Sequence, residues 1–93
     1  MAVIIWSMSG YSTSGYGDYW IRACIGGSCG GDVNVYTNEG GSHKTWSGSW
    51  ATSVNAGTVT VKLQVKKEGG GTFMTDSNDH VSWTLLVLRG TGG

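Results

Sequence analysis

Proline is absent from this chain of 93 residues, phenylalanine occurs once, and only 13% of the residues are charged. That charge content is about half of the ~25% usual in soluble domains. The 6 basic and 6 acidic side chains cancel. A nucleic-acid-binding surface carries a basic excess, so no nucleic-acid partner is expected. Helix formers are scarce, with Ala and Leu at four each and Glu at two, which excludes a helical bundle. No apolar run approaches the ~20 residues of a membrane-spanning helix, and membrane insertion is not expected. The opening Met1-Ala2-Val3-Ile4-Ile5-Trp6 lacks a positive leader, so no secretory signal is expected.

Glycine, by contrast, supplies 17 residues, and Trp and Tyr supply 5 and 4. Clusters of glycine punctuate segments rich in β-branched and aromatic residues, the pattern of strands and turns. Strands are expected over Ala2–Met8, Asp18–Ile25, Val33–Thr37, Lys44–Val54, Thr58–Lys67, Thr72–Thr75 and Val81–Arg89. Between them, Ser9–Gly17 and Gly26–Gly31 read as loops, and Gly69-Gly70-Gly71 reads as a hairpin turn. Tyr19, Ile21, Ala23 and Ile25 share one face. Trp46, Gly48, Trp50, Thr52 and Val54 share another, backed by a hydroxylic face of Thr and Ser. In Val59, Val61, Leu63 and Val65 the alternation with Thr60, Lys62, Gln64 and Lys66 fixes the facing, because a one-residue slip would turn charges inward. Leu85 to Leu88 is apolar on both faces and is placed centrally or between packed surfaces. The fold class is therefore all-β: a small antiparallel β-sandwich or jelly-roll-like barrel of six to seven strands without a helix. Residues 1–89 form one domain, and residues 90–93 are a flexible glycine tail.

A domain this small buries only about 60–65% of its unfolded surface. Glycine adds backbone entropy to the cost of folding, and strand edges without proline and with few charges invite pairing. Five tryptophans exceed what one small core encloses. A homo-oligomer, with a trimer favoured, is the expected remedy.

Chemical motifs are few. Cys24 and Cys29 match no zinc spacing. Cys24 reads as a small buried residue, and a Cys24–Cys29 disulfide is open to a protein that matures outside a reducing cell. Asp76, Asn78 and Asp79 offer oxygens at spacings that calcium accepts, yet Asp-, Asn- and Ser-rich loops are ordinarily turns. No metal and no cofactor is assigned. Asp76, Asp79 and His80 are accompanied by no nucleophile elbow, paired-carboxylate motif or phosphate loop, so no enzymatic activity is expected. Tyr11, Tyr16, Trp20, Trp46 and Trp50, interspersed with Ser, Thr, Asn and Gly, are the candidate contact residues. The same mixture serves adaptable binding surfaces, and flat rings with hydroxyl partners suit sugars. Trp46 and Trp50, sharing a strand face, read first as core or subunit interface.

From Trp46 to Arg89 the order is Trp-Ser-Gly-Ser-Trp, a turn at Ala56-Gly57-Thr58, the strand Val-Thr-Val-Lys-Leu-Gln-Val, and a closing Ser82-Trp83-Thr84-Leu85-Leu86-Val87-Leu88. This half of the chain resembles the β-sandwich modules of bacteriophage tail and capsid-surface proteins, distantly similar to the tumour-necrosis-factor/C1q jelly roll. The resemblance implies a virion structural or surface module: a capsid decoration, head-fibre or tail-tip subunit made in the host cytoplasm. Its implied partners are copies of itself, other virion proteins and a host surface glycan. A small carbohydrate-binding lectin, stacking sugars on Trp20, Trp46, Trp50 and the Tyr11–Tyr19 loop, is the second reading.

Overall fold

Alternating side chains build two antiparallel sheets that pack face to face in the computed structural model, which describes residues 1–88. Arg89 and the tail at 90–93 lie outside the described residues. The strands are β1 (Ala2–Ser12), β2 (Gly17–Ile25), β3 (Ser28–Thr37), β4 (Lys44–Thr52), β5 (Val61–Gly70), β6 (Phe73–Met74) and β7 (Val81–Val87). One sheet has β1 at its centre, with β4 on one side and β7 and the short β6 sharing the other. The second sheet runs β3-β2-β5. No helix occurs among the described residues.

The core forms where the two inner faces meet. Ala2, Ile4, Trp6 and Met8 of β1 face Tyr19, Ile21, Ala23 and Ile25 of β2, joined by Val35 of β3. Trp46, Trp50, Val61, Leu63, Phe73 and Leu85 close its margins. The facings expected for β2 and β4, and for Val61 and Leu63 of β5, are those observed, because the opposite sheet covers one face of each; β5 starts at Val61, after Val59, and Val65 is 37% exposed.

Four local expectations are corrected. Ser9–Ser12 is strand, because Tyr11 and Ser12 pair with Met74 and Phe73 of β6. The Gly26–Gly31 cluster is mostly strand: only Gly26-Gly27 turns the chain, with Gly26 at a φ of 61°, and Ser28 already pairs with Ile25. Gly69-Gly70-Gly71 closes no hairpin, since Gly69 and Gly70 pair with β2 while β6 belongs to the other sheet. Finally, β7 is not central. It pairs with β1 alone, so its second edge has no strand partner among the described residues.

Two register breaks interrupt the second sheet. Ile21 pairs with Val33 and Ala23 with Gly30, so Arg22 of β2 stands opposite two residues, Gly31 and Asp32. Gly31 has a φ of 65°, the left-handed conformation of a bulge that glycine accepts without strain. On the other flank, Tyr19 pairs with Lys67 and Asp18 with Gly69, which leaves Glu68 of β5 as an extra residue.

Candidate functional site

The five candidate aromatic residues are distributed over different surfaces. Trp46 and Trp50 point from β4 into the sandwich, where Trp46 lies 5.7 Å from Phe73 between ring centroids and the Trp50 indole N–H donates to the Ser28 carbonyl at 3.2 Å. Tyr11 tilts over the His43 ring at 4.6 Å, and Tyr16 tilts against Tyr36 at 5.6 Å. Tyr19, counted with the stacking loop, is fully buried and donates its hydroxyl to the Gly71 carbonyl at 2.6 Å. Trp20 lies on the outer face of the second sheet, 37% exposed, as does Tyr36, 62% exposed.

Trp20 lines a groove of about 740 Å³ together with Arg22, Asp32, Gln64, Val65, Lys66 and Glu68. The register places Trp20 opposite Lys66 and Arg22 opposite Gln64. The Arg22 Nε–H donates to Gln64 Oε1 at 2.8 Å, which holds the guanidinium across the strands. The Lys66 ammonium lies 3.5 Å from the Glu68 carboxylate. Of these lining residues only Trp20 is legible as a contact residue in the sequence. Asp32 and Glu68 lie beside the register breaks on the outer face, and only the pairing of β3 and β5 with β2 brings them to Trp20.

A second cluster gathers at the other end of the fold. His43 Nδ1 lies 2.8 Å from Asp79 Oδ1 and His43 Nε2 lies 3.5 Å from Asp76 Oδ2. Asp79 also accepts from the Ser9 hydroxyl at 2.8 Å and from the Asp76 amide at 2.9 Å. Asp76 in turn accepts the Asn78 amide at 2.9 Å, the local bond of an Asx turn. The hydrogen bond to Asp79 raises the pKa of His43 above its ordinary 6.5, and the same bond holds Asp79 below its ordinary 3.8. One ligand atom from each of His43, Asp76 and Asp79 falls within 4.8 Å of the others. His43 is the member that sequence reasoning missed, since it lies 36 residues from Asp79. Nearby, the Ser7 hydroxyl lies 3.0 Å from His80 Nε2. Among the described residues no carboxylate is hydrogen-bonded to His80 to orient its ring as a base.

Cys24 and Cys29 face each other across the β2–β3 hairpin and form a disulfide.

The remaining feature is β7. Its register with β1 sets Val81, Trp83, Leu85 and Val87 on the core side, opposite Met8, Trp6, Ile4 and Ala2. The second sheet does not extend over them: Val81 is 54% exposed, Trp83 51% and Val87 68%. On the opposite face Leu86 is 47% exposed beside Ile5 of β1, itself 52% exposed. No protein-family model, no curated protein and no solved structure matches this chain.

Proposed function

We propose that this protein is a non-enzymatic structural module that assembles with copies of itself at the surface of a virus particle, as a capsid decoration, head-fibre or tail-tip subunit. The observation that carries the reading is the edge of β7 that has no strand partner among the described residues. Its seven residues, Val81–Val87, hold no charge and no proline. The other outer strands carry the residues that discourage edge pairing: Asp32 and a bulge in β3, Lys44 in β4, and Lys62, Lys66, Lys67 and Glu68 in β5.

The occupant we assign to this edge is a second copy of the chain. Val81, Trp83, Leu86, Val87 and Leu88, with Ile5, are each 47–68% exposed. At ~150–250 Å² for a large side chain, this leaves on the order of 500–800 Å² of surface bare, divided between the two faces of the sheet. A stable interface covers about 800 Å² per partner, a value within reach once the backbone edge is included. Zero net charge removes long-range repulsion between copies. Pairing of two β7 edges about a twofold axis satisfies the backbone but leaves the inner side of the strand bare. Seating β7 against a different surface of the neighbour covers both, and such head-to-tail contacts form rings where the rotation between copies closes. Three copies are the ring we favour.

The resemblance of residues 46–89 to phage surface modules supports the virion setting. Co-sedimentation tests the assignment. The protein is expected to pellet with phage particles as an oligomer and not in their absence. A protein that stays monomeric in the supernatant contradicts it.

A further inference from the structure

We infer that the groove on the outer face of the β3-β2-β5 sheet binds a neutral oligosaccharide, with Trp20 as its stacking floor and Asp32 and Glu68 as acceptors for sugar hydroxyls. This goes beyond the assembly reading, since it concerns the sheet opposite the one that carries β7. Its main support is the way the groove is built. An ordinary solvated sheet face needs no register breaks. Here each strand flanking β2 has one, and each break lies beside one of the groove's two carboxylates: Asp32 next to the bulge at Gly31 opposite Arg22, and Glu68 at the break beside Tyr19. Bulges concentrate at sites where a side chain must be re-aimed.

The lining also selects a ligand class. Arg22 and Lys66 balance Asp32 and Glu68, so the groove has no net charge and favours neither an anion nor a cation. Its polar groups present both donors and acceptors. Arg22 is already oriented by Gln64, which lessens the ordering cost of binding. Trp20 offers a flat apolar face from the central strand, where it adds nothing to the core. A ligand that fits has many hydroxyls, an apolar C–H face and no charge. At about 740 Å³ the groove lies within the ~300–1,000 Å³ of small-ligand sites, room enough for a short oligosaccharide. The other candidate aromatic residues form no such platform, because Trp46 and Trp50 face inward.

The test is an NMR titration of the full chain with three neutral trisaccharides (maltotriose, cellotriose and tri-N-acetylchitotriose) and with the anionic 3′-sialyllactose. The expected result is that at least one neutral sugar shifts the Trp20 indole and the Arg22 and Gln64 side-chain signals. Trp20→Ala should then weaken binding by roughly tenfold or more, as for removal of an aromatic anchor. Glu68→Gln, at an exposed bulge where folding is not at stake, should weaken it as well. Three results overturn the inference: no shift from any neutral sugar at about 10 mM, shifts confined to residues outside the groove or unchanged by both substitutions, or a preference for sialyllactose over every neutral sugar.

Discussion

His43 Nδ1 sits 2.8 Å from Asp79 Oδ1, an atom that also takes the hydroxyl proton of Ser9 in strand β1. The pair ties the segment before β4 to the loop before β7, and the Asp79 side chain is only 3% exposed. Its contribution to stability is set by two titrations of opposite sign. The His43 pKa is raised by folding, so its share is fully present below the ordinary value of 6.5 and is lost as the pH rises through the higher folded value. The Asp79 pKa is lowered by folding, so its share is present above the ordinary 3.8 and is lost as the pH falls through the lower folded value. Thermal unfolding of the wild type should therefore show its highest midpoint between these limits and decline as the pH rises beyond 6.5. His43→Ala should flatten the decline on the alkaline side. An alkaline decline that is unchanged in His43→Ala assigns it to another group.

Gly48 lies opposite Trp6 across the β4–β1 pair, and a Cβ at Gly48 would come within 2.7 Å of the Trp6 ring. That ring is fully enclosed, so it cannot give way without disturbing the core. Gly48→Ala should cost about 1–3 kcal/mol in a urea titration, the usual range for overpacking. Gly27→Ala, at a position with open space around it, is the comparison and should lose far less.

Cys24 and Cys29 are five positions apart, and their hairpin is already closed by the β2–β3 ladder. A cross-link over so short a loop removes little entropy from the unfolded chain. Reduction should lower stability by about 2 kcal/mol, with the sheet content by circular dichroism unchanged. Loss of the fold on reduction would show that the disulfide supports more than its own hairpin.

The fold was legible where one face of a strand is buried. In β2 and β4, and at Val61 and Leu63 of β5, the alternation of apolar and polar residues fixes the facing, and the structure keeps it. The glycine clusters were not legible, because glycine permits a turn, a bulge or a plain strand alike. Gly26 turns a hairpin, Gly31 forms a bulge, and Gly69 pairs within a strand. The apolar run Leu85–Leu88 was legible as a strand that needs cover on both sides, but the usual source of cover, a central place in the sheet, is not where it lies. Trp20 could be picked out from its type alone. Asp32, Glu68 and His43 could not, since only long-range strand pairing brings them to their partners.

The central claim is that β7 is covered by another copy of the chain, and sedimentation velocity at micromolar concentration tests it most directly. Thr84 lies mid-strand on the exposed face of β7, opposite Ile5, so Thr84→Lys adds an edge charge without entering the core. The wild type should sediment as an oligomer, at about 29 kDa for three chains of 9.8 kDa, and Thr84→Lys should sediment as a folded monomer. A wild type that is already monomeric, or an oligomer that Thr84→Lys and Trp83→Lys both leave intact, would contradict the account.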